Sequence, residues 1–363
     1  MRVDVTSEQQ KRLAEWSSDL RQIGPLQPFS ATVIRAAYGP IPTEIALLQN
    51  LETILLRCQF LNGSIPTTIG RLTTLKELTL RGCSLQGSIP SEIGRLCGLE
   101  TLNLTSNGFT GPWPTTIGNL TQLTNLDLST RKAQGCMPSE IGGLCSLQTL
   151  KFNGHELNSL LPEEIFRLTQ LKHLELCRYC WTQTASSKVS RLCQLETLHW
   201  SKCNFSHLPF PMELFHLTKL KRLTLRNCNF QCRIPSVMGN LRSLETLRLI
   251  RNRFTGSVPT ELGQLTRLTY LQLGGTPQKR EPLTGSIPTE IGQLVNLKTF
   301  DVVDTALVAV IPIEFKHLTK LRMLEIQFKG QLVEPIPEEV KSTVFANLRS
   351  SALSGDGWRI SIT

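Results

Sequence analysis

The chain reads as an α/β repeat solenoid, a stack of short parallel strands backed by short helical or extended segments. Three observations predict this. First, residues 72–95, LTTLKELTLRGCSLQGSIPSEIGR, form a 24-residue unit whose pattern begins again at Leu96. Numbered from Leu72, apolar residues hold positions 1, 4, 7, 9 and 14, Gly87 holds 16, and Ile89-Pro90 and Ile93-Gly94 hold 18–19 and 22–23. Second, ELTLR alternates apolar and polar residues with the period of a half-buried strand. Third, Gly87 and Pro90 rule out a long helix in the second half, which should run extended and then in a short helical turn. One such unit cannot bury its own leucines, whereas stacked copies cover one another.

Taken in order, residues 6–23 predict a helix capped by Thr6 or Ser7, with Leu13, Trp16, Leu20 and Ile23 on one face and Gly24-Pro25 as its stop. Residues 1–38 read as an N-terminal cap over the open end of the stack, with a functional arm as the alternative. Residues 39–341 carry the solenoid. GPIPTEIAL (39–47) is the second half of a repeat whose first half is missing or degenerate, and twelve repeats then open at Leu48, Leu72, Leu96, Leu120, Leu144, Leu168, Leu192, Leu217, Leu241, Leu265, Leu294 and Leu318. The repeat from Leu168 loses its Ile-Pro, that from Leu192 is one residue longer, and that from Leu265 gains five, placed at Pro277–Glu281 just after its strand. Residues 342–363 are a C-terminal cap or tail in which Trp358, Ile360 and Ile362 alternate like a strand.

Composition bounds the class. With 363 residues, 40% hydrophobic and 19% charged, the chain is globular, and no run of 18 apolar residues could span a membrane. The start, MRVDVTSEQQKRL, lacks an apolar leader core, and eleven cysteines is an odd number without an evident pairing scheme. Both predict reduced thiols in an intracellular, cytoplasmic protein.

The motif LxGxIPxxIGxLxxL resembles the plant-type leucine-rich repeats of receptor-like kinase ectodomains and polygalacturonase-inhibiting proteins. The resemblance covers residues 39–339. It implies a horseshoe or superhelix with a concave parallel β-sheet, and short helical or extended segments on the convex side, binding proteins or peptides on the concave face. Position 12, usually Asn in that family, is Asn only at Asn107 and Asn252; Cys83, Cys203 and Cys228 hold it elsewhere. Arg131, His155, Tyr179 and Lys329 are too large for that slot unchanged, so the local turn should vary.

Cys177-x-x-Cys180 has zinc-ligand spacing, but it lacks a second pair on the same face. His173 and His199, with Glu175 and Cys177, have no oxyanion hole or deep pocket implied around them. No phosphate loop or dinucleotide fingerprint is present. The reading is therefore no catalytic residue, no metal site, no cofactor and no small-molecule substrate.

The outward positions of the strands are more informative. In the three repeats opening at Leu192, Leu217 and Leu241 they carry His199, Lys202, Arg222, Arg226, Arg248 and Arg251, with Arg253 just beyond and no carboxylate among them. Further on the sign reverses at Asp301, Asp304 and Glu325. This predicts a non-enzymatic protein–protein interaction module or scaffold whose partner presents an acidic surface, met by arginine forks. The net charge of +10 keeps a nucleic-acid-containing assembly open as the alternative, although almost no aromatic residue is interleaved with the strip. A secreted receptor or inhibitor-type protein is the third reading, and no membrane partner is expected.

Overall fold

A computed structural model describes residues 7–19, 33–57, 60–129, 137–153, 160–182, 187–274, 283–303, 305–308, 310–328, 335–345 and 359–362. The chain divides into two compact units, Met1–Cys180 and Trp181–Thr363.

In the first unit the helix Ser7–Trp16 precedes the main sheet, whose strands among the described residues are Val33–Ile34, Thr53–Leu56, Glu77–Leu80, Thr101–Asn103, Asn125–Asp127, Thr149–Asn153 and His173–Cys177. Each pairs in parallel with the next, one repeat apart, as where Glu77 faces Thr101 and Thr101 faces Asn125. The second unit repeats the scheme with Thr197–Ser201, Arg222–Arg226, Thr246–Leu249, Tyr270–Gly274, Thr299–Val303, Met323–Phe328 and Arg359–Ile362. The strand Val33–Ile34 is the first half before Gly39, degenerate and not missing. The alternation at the far end forms the strand Arg359–Ile362, paired with Met323–Phe328.

The back of each unit is made of 3₁₀ turns, such as Thr67–Arg71, Ser91–Arg95 and Thr260–Gln264. Proline supplies the start. At Pro66, φ is −71° and ψ is 147°, and its carbonyl accepts from the N–H of Ile69 at 3.0 Å. Leu72 closes the turn by donating to the carbonyl of Ile69 at 3.1 Å. The apolar residue at the centre of each five-residue turn is buried, mostly Ile but Leu214, Met238, Leu262 and Phe315 in the others, and Leu72, Leu75, Leu78, Leu80 and Leu85 are all fully buried.

The glycine that follows the buried apolar residue in these turns lets successive turns touch. A Cβ on Gly70 would sit 2.5 Å from the carbonyl oxygen of Glu92, and one on Gly292 would sit 2.5 Å from the Cβ of Glu314. In the second unit position 14 changes from Leu to Phe in three consecutive repeats. Phe205, Phe230 and Phe254 stack with centroids 4.5 and 5.9 Å apart, and Trp200 joins Phe205 at 5.3 Å. The sheet that carries the basic residues therefore rests on a ring stack, rigid and large in buried area.

Several expectations change. The first helix ends at Trp16, with Leu13 and Trp16 buried; Leu20, Ile23 and Gly24-Pro25 lie outside the described residues. Tyr179 does fit the position-12 slot. It is fully buried and packs against Phe152, ring centroids 5.8 Å apart and planes tilted by 60°, because the neighbouring strand offers an aromatic ring in place of a polar turn. Arg131, His155, Lys329, Asp304 and the five-residue addition Pro277–Glu281 are outside the described residues. Where the Ile-Pro is lost, the turn shrinks to Val189–Arg191.

Candidate functional site on the sheet face

The strand Arg222–Arg226 shows how the face is built. Leu223 and Leu225 go into the core, so Arg222, Thr224 and Arg226 are turned to the other side, with both arginines exposed. Register then decides which side chains adjoin. Arg222 faces Thr197 on one side and Thr246 on the other; Arg226 faces Ser201; Arg248 faces Thr224 and Gln272; and His199 faces Thr224. The arginines are thus staggered among hydroxyl residues rather than stacked on one another. Their mutual repulsion is thereby eased, since strand neighbours are about 4.8 Å apart and diagonal neighbours farther.

Arg248 is the most constrained of the group. It is half-buried, its Nε donates to Gln272 Oε1 at 2.8 Å, and its Cζ lies 5.2 Å from the centre of the Tyr270 ring. Gln272 in turn donates through Nε2 to Asp301 Oδ2 at 2.5 Å. Asp301 was expected to project as part of an acidic patch. It is instead buried at 5% exposure and accepts the hydrogen bond from Gln272. Thr79, at the corresponding strand position of the first unit, is likewise buried, at 4%.

The end of each strand adds a second device. Lys202, Asn227 and Arg251, all at position 11, hold φ of +56°, +54° and +55°. In the first unit Gly82 holds +66° at the same place, where glycine carries no steric cost. A long side chain in the left-handed region is uncommon and costs of order 1 kcal/mol. Here it is fixed by the backbone: Lys202 N–H donates to Arg226 O at 2.9 Å, and Asn227 N–H to Ile250 O at 3.0 Å. Lys202 and Arg251 are exposed, whereas Arg253 is half-buried and its N–H bonds to Phe230 O at 2.9 Å.

Sequence reasoning missed Tyr270, Gln272 and the role of Asp301. All three occupy outward strand positions, and an apolar–polar alternation reports which way a side chain faces without reporting which neighbours cover it.

The cysteines divide by position. Cys203 and Cys228 are buried, while Cys177 and Cys180 are half-buried. The Cys228 thiol donates to the carbonyls of Trp200 and Arg226 at 3.5 and 3.4 Å, and Cys83 to those of Leu56 and Arg81, both at 3.5 Å. Asn107 and Asn252 make the same kind of bonds: Asn252 Nδ2 donates to Leu225 O at 2.7 Å, and its Oδ1 accepts from Cys228 N–H at 2.8 Å. Burial pushes the Cys228 thiol pKa well up, reinforced by the neighbouring Cys203, and burial raises that of Cys232 to about 11.

Comparison with known proteins agrees with this architecture. Residues 55–191, 115–227 and 163–282 match the family described as leucine-rich repeat region. Over 158 residues the chain is 31% identical to Receptor-like protein 6 of Arabidopsis thaliana, a stretch covering 42% of this chain and 16% of that protein. The plant peptide hormone receptor RGFR1 in complex with RGF2 is similar with a TM-score of 0.71 and 30% identity, over 91% of this chain and 51% of that one. The ectodomain of the Arabidopsis thaliana membrane receptor kinase GASSHO1/SCHENGEN3, in complex with Casparian strip integrity factor 2, is similar with a TM-score of 0.57 and 25% identity, over 90% and 43%. The chain thus spans about half the length of these solved receptors.

These relatives overturn the expectation of an intracellular, cytoplasmic protein, because they are plant receptors and a receptor-like protein, one of them solved as the ectodomain of a membrane receptor kinase. The cysteine argument failed for a physical reason. Cys83, Cys203 and Cys228 fill the turn slot that Asn107 and Asn252 fill elsewhere, so at least these thiols are placed by packing and say nothing of redox compartment. By repeat, register and relatives, the chain belongs to the plant-type leucine-rich-repeat family.

Proposed function

We propose that the second unit is a non-catalytic binding module that takes an acidic protein or peptide segment along its sheet face. The contacts would be Arg222, Arg226, Arg248 and Arg251, with His199, Lys202 and Arg253 at the margin. The observation that carries this reading is the run of exposed or half-exposed guanidinium groups on two adjacent strands and the turn beyond them, with hydroxyl neighbours and no carboxylate at the outward positions of residues 197–250. The similarity to a peptide hormone receptor solved with its ligand supports a peptide-like partner in a receptor setting. An extended acidic segment crossing these strands could engage several forks at once. Pairs at the rim would contribute about 0–1 kcal/mol each and a desolvated bidentate pair considerably more.

The test offers wild-type protein and the Arg226→Glu, Arg248→Glu double variant to a displayed library of acidic and neutral peptides. Wild type should enrich acidic sequences and the double variant should lose them, with little change in melting temperature. Equal enrichment by both proteins at physiological salt would show that the strip is a solvated face.

A further inference from the structure

We infer that Gln272 and Asp301 are positioning residues for Arg248, holding its guanidinium against Tyr270 so that its two terminal amino groups meet a carboxylate of the bound partner. This rests on the binding reading above and adds which arginine anchors the partner, and why.

The geometry runs along one register row. Thr224, Arg248, Gln272 and Asp301 are successive neighbours on four strands. An amide is the group needed between a guanidinium and a carboxylate held two strands apart. Its oxygen accepts from Arg248 Nε at 2.8 Å while its nitrogen donates to Asp301 Oδ2 at 2.5 Å, and only one amide orientation satisfies both. Asp301, at 5% exposure, cannot swing to an alternative partner in solvent. Tyr270 closes the other side, with Arg248 Cζ 5.2 Å from its ring centre.

The consequence is selective. Nε is occupied, and among the described residues Nη1 and Nη2 of Arg248 have no hydrogen-bond or ion-pair partner. Arg222 and Arg226 carry no such brace and are exposed. An arginine already ordered loses less rotamer freedom on binding, so more of each new hydrogen bond appears as affinity.

The experiment has a readout without ligand and one with it. In ¹⁵N-arginine-labelled protein, the Arg248 Nε–H resonance should exchange slowly with water in wild type and fast in Gln272→Leu. By titration calorimetry, affinity for a hexaglutamate peptide should fall about tenfold in Arg248→Ala and about as much in Gln272→Leu, with no further loss in the double variant. Asp301→Asn should stay near wild type, because its amide oxygen still accepts from Gln272, and Asp301→Ala should behave like Gln272→Leu.

If Gln272→Leu does not fold, Gln272→Met, closer in shape to the native side chain, is measured in its place with the same expectation. A loss in Arg248→Ala with unchanged affinity in the Gln272 and Asp301→Ala variants would overturn the positioning role and leave the binding reading standing. Unchanged affinity in Arg248→Ala would overturn both.

Discussion

Asn252 is buried at 1% exposure and satisfies three backbone groups at once: the carbonyls of Leu225 at 2.7 Å and Ile250 at 3.2 Å, and the N–H of Cys228 at 2.8 Å. Replacing it by Ala leaves buried polar groups unmet, at about 1–3 kcal/mol each. Asn252→Ala should therefore lower stability by roughly 2–4 kcal/mol in urea denaturation, and Asn252→Cys should lose less, since Cys228 and Cys83 reach equivalent carbonyls. The raised thiols give a pH prediction with a definite sign. A group whose folded pKa lies above its unfolded value, about 8.5 for cysteine, contributes stability that is complete below that value and is lost as pH rises through the folded pKa. For Cys232 the loss should run from there to about 11, and Cys232→Ala should flatten that part of the stability curve. Position 12 was legible in the sequence as a slot for Asn or a small thiol. That Tyr179 would enter it was not, because its aromatic neighbour Phe152 stands 27 residues back in another repeat.

At the scale of the element, the 3₁₀ turns are the least forgiving parts. Gly292→Ala would drive a Cβ to 2.5 Å from Glu314 Cβ and 2.6 Å from its carbonyl oxygen, and backbone cannot step aside as a side-chain tip can. We expect a loss of about 3 kcal/mol by denaturant titration. Gly98→Ala is the control: its nearest contact would be 3.7 Å away, so stability should stay within about 0.5 kcal/mol. These turns were readable from Pro-x-x-Ile-Gly, since proline sets the entry and glycine the close approach. The strands were readable from Leu-x-Leu. The link from Arg248 to Asp301 was not, although all its members stood at known positions, because alternation carries no depth. A carboxylate that looks exposed by period is in fact buried and bonded by the amide of the next strand.

For the molecule as a whole, each unit is a ladder in which strands bond only to their neighbours, so the ends should open first. In native-state hydrogen exchange, the two-residue edge strand Val33–Ile34 should exchange well before Leu78 and Leu102, which have strands on both sides. Ladder order followed from the 24-residue period alone. The compartment did not, since a cysteine count carries no compartment when some thiols serve as turn-slot residues, as Cys83, Cys203 and Cys228 do.

One contact described above has a bearing on how such a chain lengthens. The glycine of one turn lies on the glutamate of the next at Gly70 and Glu92, at Gly118 and Glu140, and at Gly239 and Glu261, always 22 residues on; at Gly263 and Glu290 the separation is 27, and the contact is unchanged. Whatever joins two turns is thus indifferent to what is spliced between them. A whole 24-residue cassette could be duplicated or excised, or a foreign loop grafted between Gly274 and Leu283, and the seams on either side would still meet glycine to glutamate. A gene built from such cassettes can change its reach by unequal recombination without having to invent a new interface.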